Sequence, residues 1–354
     1  MSEHPQTHIR SVPQAVGLWL DICEKIGRDG RETVEPETLK EYKRRGNVMM
    51  EYLWSKDIRE LETADIVHFR NWLLENKSRD LARRTLSSFH SMIIEMKHQG
   101  HIKDDPAAGI SIKSTGRYET DDAEVQIPAD TEMQAILQAA DRMGDKNSYM
   151  AERWARYRPM IYLACLTGMR PSEYRGLSWK DVFEDRVEIK QRADKTGIIG
   201  PVKSRAGRRT IYLPRFVTDM IFEWENSAPK SDYGLVFPTA TGRPQALTNI
   251  VAGAWIPLMK EAGLMVEKVN GDKMVLRPKY TPYTLRHYYA SKLIEKGNDL
   301  KFIQQTMGHS KIEVTLNVYG HLLKGREESY KAAAEELAAE LLKNTCGESV
   351  ASPL

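Results

Sequence analysis

The chain has 354 residues, 41% of them apolar and 29% charged, with a formal net charge of +3. That length exceeds one ordinary hydrophobic core, and the composition excludes a disordered or fibrous chain, so two soluble globular domains are expected. No apolar run approaches the roughly 18 residues of a membrane span, and the opening MSEHPQTHIR lacks the apolar core of a signal peptide. Cys23, Cys165 and Cys346 lie far apart and form no CxxC pair, which points to a reducing, cytoplasmic setting. His4 and His8 have helical ligand spacing, but at a polar terminus they read as surface residues.

Residues 10–113 place apolar side chains at helical spacing in four stretches, 16–26, 38–54, 65–76 and 83–100. Strand patterns are absent there, so residues 1–113 are expected to form a helical domain. Residues 114–128 are polar, aperiodic and end in Pro128, as a linker would. From residue 129 the pattern is mixed. MQAILQAADRM and ERWARYRPMIYLACL read as helices; RVEIKQ (186–191), RTIYLP (209–214) and GLVFP (234–238) read as short strands. The glycine-rich, basic stretch between the first two reads as a loop. Residues 264–280 centre on Asn270–Gly271, a hairpin signal. Helices return up to about residue 328, and residues 329–354 form a helical tail. The fold expected is mainly α with a small antiparallel β-sheet.

Charge is uneven along this second block. Arg186, Lys190, Arg192, Lys195, Lys203, Arg205, Arg208, Arg209 and Arg215 face only Glu188 and Asp194, while the tail beyond Arg326 is acidic. Such a stripe is either a solvated face or the footprint of a polyanion.

Three short motifs carry chemistry. In CLTGMRPSEYRGLSW (165–179), Gly168 suits a helix C-cap and Pro171 the first turn of the next helix, so Arg170 sits in a tight corner. A fixed guanidinium binds anions well, and Glu173 one turn on can orient it. In TPYTLRHYYASKLI (281–294), Thr281 can cap, Pro282 opens a helix, and Arg286 falls near its positive end. In NDLKFIQQTMGHSKIEVTLNVYGH, Asn298 can cap one helix, and Ser310 with Glu313 forms a capping box for the next. His309 then lies in the corner between them. Tyr319 follows, with Gly320 giving backbone freedom beside it.

The order of these pieces resembles the tyrosine recombinases, also called the phage integrase family. TGMRPSEYRGLSW is similar to that family's first arginine box, TLRHYYAS to its second, MGHSKIEVTLNVYGH to its histidine and nucleophile box, and GPVKSRAGRRTIYL to the hairpin bearing its lysine. Residues 10–113 resemble its helical core-binding domain. The resemblance implies a catalytic domain of mixed α+β type over 129–328 and DNA cleavage and rejoining through a covalent 3′-phosphotyrosine. It implies that Tyr319 attacks the scissile phosphate. Arg170 and Arg286 clamp the non-bridging oxygens, His309 adds a donor, and Lys203 protonates the departing 5′ oxygen. Neither ATP nor a metal is implied. The partners implied are double-stranded DNA, a homotetramer on that DNA, and an excisionase and host DNA-bending protein; the localisation is cytoplasmic, on the nucleoid.

One position departs from the family. Tyr283 stands where a histidine is usual, three residues before Arg286. Tyrosine can bind phosphate but is a poor base near neutral pH. His287 is the obvious substitute, yet it should point about 100° away from Arg286 on a helix, and reads as structural. Tyr288, Tyr289 and His321 read as packing residues. Candidate DNA contacts are Lys43, Arg44, Arg45, Arg79, Arg83 and Arg84 in the first domain, with Arg205 and Arg208 in the second. The amphipathic helix at 330–342 either docks on its own domain or exchanges into a neighbouring protomer. Too few residues precede the first helix for a separate arm-binding domain. The subtype most resembled is the integrase of temperate phages and genomic islands. Chromosome-dimer resolvases, type IB topoisomerases and a non-catalytic DNA-binding regulator stay open as alternatives.

Overall fold

The computed structural model describes residues 9–28, 30–113, 126–270, 273–320 and 327–345. His4, His8, His321, Cys346, most of the expected linker and Gly271 lie outside them. The chain divides into two compact units, Met1–Glu124 and Val125–Leu354.

In the first unit the apolar spacing produces four helices: α1 (Val12–Lys25), α2 (Pro36–Glu51), α3 (Thr63–Asn76) and α4 (Arg79–His98). Each begins two to four residues earlier than the apolar periodicity alone places it, because polar caps, or Pro36 at the first position of α2, set the starts. Ser11 and Gln14 form a reciprocal capping box at α1, and the Ser78 hydroxyl accepts from Leu81 N–H at α4. The apolar stripes meet in one core around Trp19, Met49, Phe69, Leu73 and Phe89. Trp54 stacks on Phe89 with ring centroids 5.2 Å apart. The segment after α4 is pinned by Asp105, which meets His90 Nε2 at 2.8 Å and accepts from Ala107 N–H at 3.0 Å.

The second unit opens with α5 (Asp130–Gly144), α6 (Ser148–Thr167) and α7 (Pro171–Arg175). Four short strands follow: β1 (Arg186–Ile189), β2 (Gln191–Ala193), β3 (Ile199–Pro201) and β4 (Arg209–Tyr212). Strand β1 pairs antiparallel with β4, Arg186 opposite Tyr212, and β2 with β3. The basic stretch between β1 and β4 is thus itself partly a hairpin, since Ile199–Pro201 pairs back onto 191–193. Residues 234–238 form no strand; they contribute only isolated bridges, Leu235 to Ser178 and Pro238 to Pro244. Pro238 lacks the N–H that would extend a ladder.

Then come α8 (Arg215–Glu225), α9 (Leu247–Ile250) and α10 (Ile256–Glu261), the last two joined by one wide turn. The hairpin of β5 (Met265–Asn270) and β6 (Lys273–Pro278) has Asn270 opposite Lys273, a register that leaves two residues between them. The unit closes with α11 (Thr284–Glu295), α12 (Leu300–Met307), α13 (Ile312–Tyr319) and α14 (Glu327–Thr345). Three buried indoles tie these layers together by donating to carbonyls of other segments: Trp154 to Ala140, Trp224 to Val236 and Trp255 to Tyr280. Besides the main core, α11, α12 and α13 share a small cluster of Ala290, Ile294, Ile303, Met307 and Tyr319.

Candidate active site

Two left-handed glycine corners build the site. Helix α6 ends at Gly168, φ 59°, where a Cβ would stand 2.6 Å from the Tyr289 ring. Helix α12 ends at Gly308, φ 63°, where a Cβ would stand 2.9 Å from Arg209 Nη1 and 3.1 Å from Ala206 O. Only glycine takes these turns without strain or clash. Each corner turns its carbonyls onto an arginine. Gly168 O accepts from Arg286 Nη1 at 2.6 Å, and Gly308 O from Arg170 Nη2 at 3.0 Å. Arg286 Nη2 also donates to Met307 O. Arg170, at the cap of α7, and Arg286, on α11, thus come together from opposite corners.

One carboxylate holds the cluster. Glu173 is 3% exposed. Its oxygens accept from Arg170 Nη1 at 2.8 Å, from Arg170 N–H at 2.8 Å, and from Arg209 Nη1 and Nη2 at 3.1 and 2.8 Å. Burial pushes the Glu173 carboxyl up, but the Arg209 hydrogen bonds and charge, with Arg170 and Arg286 behind them, outweigh it and hold it down at about 2. Arg209 also donates from Nε to Thr306 O at 2.6 Å, which fastens β4 to the end of α12. In the sequence Arg209 is one member of a basic stripe. On β4 it shares the inward face of buried Ile211, two residues on, a face set by the pairing of β4 with β1.

His309, 8% exposed, sits between Arg286 and α13. Arg286 Nη2 lies 3.0 Å from its Nε2, and its Nδ1 meets Thr315 Oγ1 at 2.9 Å. Because arginine only donates, Nε2 accepts here and Nδ1 carries the proton. Burial, and then the charges of Arg286, Arg170 and Arg209, push the imidazole down to about 4, so it is neutral at physiological pH. Arg286 is 1% exposed. Burial and the Arg170 charge lower its guanidinium to about 10, still charged near neutrality.

Tyr319 ends α13, 2% exposed, with its ring in the cluster of α11 to α13. It is thus a core aromatic and a polar group at once. Its Oη lies 2.9 Å from His287 Nδ1. Burial raises the phenol above its ordinary value, opposed by Arg286 and Arg170. Gly320 beside it has an ordinary φ of −60°, so the freedom expected of that glycine is unused. His287 does diverge from Arg286 on α11, as helix geometry requires. The direction it takes leads to Tyr319, however, and not into bland packing. Helix periodicity could fix that angle but not what lies along it.

The local starts also differ from expectation. Helix α11 begins at Thr284, not at Pro282, and Tyr283 is its N-cap residue, 41% exposed. Its ring stands 5.1 Å from that of His287, one turn on. Asp299 caps α12 through Phe302 N–H at 2.8 Å, while Asn298 donates to Leu293 O instead. No Ser310 capping box forms; Lys311 occupies the cap of α13. Lys203 is exposed, just beyond β3, with Arg205 and Arg208 exposed on the same connection to β4.

Many remaining basic candidates are held by acids. Lys190 meets Asp181 and Glu188, Arg215 meets Glu184 and Asp219, Lys43 meets Glu24, Arg44 lies 4.0 Å from Glu41, and Arg83 and Arg84 meet Asp80. Arg79 donates to Lys113 O. Arg45 turns inward to Ser88 Oγ at 3.1 Å and over the Tyr42 ring.

A model of the phage integrase family matches residues 129–326. An integrase of Streptomyces ambofaciens is 28% identical over 328 residues, covering 87% of this chain and 76% of that protein. Among solved structures, the transposon integrase of Tn1549 in complex with a circular intermediate DNA aligns with a TM-score of 0.68 at 19% identity. It covers 93% of this chain and 99% of its own. A lambda integrase tetramer bound to a Holliday junction aligns with a TM-score of 0.56 at 18% identity, covering 84% of this chain and 77% of that one. These structural likenesses establish a common fold, and the family match covers more than half of the sequence, including every residue of the two glycine corners. The chain belongs to the phage integrase family, the tyrosine recombinases.

Proposed function

We propose that the protein is a site-specific DNA recombinase that integrates or excises a mobile element through a covalent 3′-phosphotyrosine. The observation that carries this reading is the meeting of buried Arg286, His309 and Glu173 with half-buried Arg170 around two fixed corners, with Tyr319 closing the helix that follows. Two guanidinium groups, of Arg170 and Arg209, share the Glu173 carboxylate, and the Arg286 charge stands beside them, so the cluster keeps a net positive charge and favours an anion. A phosphate bound there displaces backbone carbonyls as partners of Arg170 and Arg286. As phosphorus becomes five-coordinate, charge gathers on the oxygens those arginines hold. Tyr319 is the nucleophile. His309 releases Arg286 and, with a proton, donates from Nε2. Lys203 protonates the 5′ oxygen, reaching in from its exposed connection. Tyr283, exposed at the α11 start, is a phosphate ligand.

The substrate is double-stranded DNA, with Arg205 and Arg208 as backbone contacts, and Arg79, Arg83 and Arg84 as contacts released from their local partners by phosphate. Lys43, Arg44 and Arg45 form the rest of the candidate set in the helical unit, Arg45 being the least accessible. We take the working assembly to be a homotetramer on DNA. Leu337 on α14 is 57% exposed, an apolar residue that exchange into a neighbouring protomer would bury. An excisionase and a host DNA-bending protein would set direction, and the site of action would be the cytoplasmic nucleoid. The test is a plasmid carrying two copies of the DNA flanking the gene's own element. Recombinant product that requires both copies supports the reading. Relaxation of supercoils on a plasmid lacking them would favour a topoisomerase, and binding without product a regulator.

A further inference from the structure

Resting on the recombinase reading, we infer that His287 is the proton acceptor for Tyr319, the function that Tyr283 is chemically unsuited to supply. Three observations converge. His287 Nδ1 lies 2.9 Å from Tyr319 Oη, the atom that must lose a proton before it can bond to phosphorus. Both side chains are held: Tyr319 by its buried cluster, and His287 between the rings of Tyr283 and Tyr319 at centroid distances of 5.1 and 5.7 Å. The residue next to His287 in the chain is the buried Arg286, so phosphate binding and proton transfer are set by one turn of α11.

The protonation states agree. Burial, with the Arg286 charge behind it, lowers the His287 imidazole to about 4. The ring is therefore neutral near pH 7, and in the tautomer that carries its proton on Nε2 it accepts from Tyr319 Oη at Nδ1. So weak a base would serve poorly alone. A phosphate seated on Arg170 and Arg286 brings negative charge beside the ring and favours the imidazolium. Proton acceptance is thereby coupled to occupancy, and the unbound enzyme keeps its nucleophile protonated.

In the step itself, the Tyr319 Oη–P bond forms, the P–O5′ bond breaks, the phenolic proton passes to His287 Nδ1, and the Lys203 ammonium gives a proton to O5′. In rejoining, the 5′ hydroxyl attacks phosphorus and returns its proton to Lys203. Tyr319 leaves and recovers its proton from His287. Protons, charge and bonds balance over the cycle.

The experiment measures adduct formation on a nicked suicide duplex for the full chain, for His287→Asn, and for both with a difluorotyrosine installed at position 319. Asparagine keeps an acceptor near the Nδ1 position but cannot take a proton. The expected result is adduct formation slowed about 10²-fold in His287→Asn with DNA retention unchanged. The fluorinated phenol, being more acidic, should recover about tenfold or more in the variant while changing the unsubstituted enzyme little. A His287→Asn rate within about threefold of wild type, or fluorination acting equally on both, would overturn the assignment. Tyr319→Phe is run on the same duplex. If the unmodified enzyme forms no Tyr319-dependent adduct at all, the recombinase reading itself falls and the assignment falls with it.

Discussion

Replacing Glu173 by glutamine removes one charge and almost no volume, and it should be among the most damaging polar changes in the chain. The carboxylate is 3% exposed and is the partner of two guanidiniums and one backbone N–H. Its carboxyl is held at about 2, against 4.5 ordinarily. That difference corresponds to about 3 kcal/mol of stability near neutral pH, in line with the roughly 3–5 kcal/mol cost of breaking a buried ion pair. The sign is fixed by the direction. A carboxyl depressed by folding stabilises fully above its unfolded value and loses that contribution as pH falls toward its folded one. At about pH 3 the unfolded state is already protonated and roughly 1.4 kcal/mol should remain. Urea unfolding of wild type and Glu173→Gln, read by hydrogen exchange of peptides spanning α6, α7 and β4, measures the difference at both pH values. A gap below about 1 kcal/mol at neutral pH, or one that does not narrow in acid, would refute the reasoning.

Lys203→Ala should slow cleavage about 10²–10⁴-fold, and a bridging 5′-phosphorothioate should restore it, since a thiolate departs without a proton; failure of that rescue counts against the general-acid role. Gly308→Ala should cost about 1–2 kcal/mol from its left-handed backbone alone, and more where its Cβ meets Arg209, visible as a lowered melting temperature with weaker adduct formation. His309 should titrate near 4 in the free protein by imidazole NMR. Its contribution to stability should be lost as pH falls from about 6.5 toward 4, because the unfolded chain takes up the proton first. A midpoint near 6.5 would mean that it is neither buried nor beside Arg286.

The helices of the first unit were legible because an apolar stripe at helical spacing has few other readings, and only their boundaries shifted. The two corners were legible for the same kind of reason: Gly168 before Arg170–Pro171 and Gly308 before His309 are local grammar. Arg209 was not, because strand β4 is four residues long and its inward face is set by pairing with β1 across the intervening hairpin. Residues 234–238 misled because an apolar run ending in proline looks like a strand yet sits where only single bridges can form. His287 failed differently. Its angle on α11 followed from sequence, but the neighbour at that angle comes from α13, and no local rule reports it.

The most direct measurement is trapping of the covalent intermediate. The DNA flanking the gene's own element, made as a nicked suicide duplex, is mixed with wild type and with Tyr319→Phe and run on a denaturing gel. An adduct formed by wild type alone, joined through a 3′ phosphate to Tyr319, is the expected outcome. An equal adduct with Tyr319→Phe, or linkage through a 5′ phosphate or another residue, would show that Tyr319 is a core aromatic and nothing more.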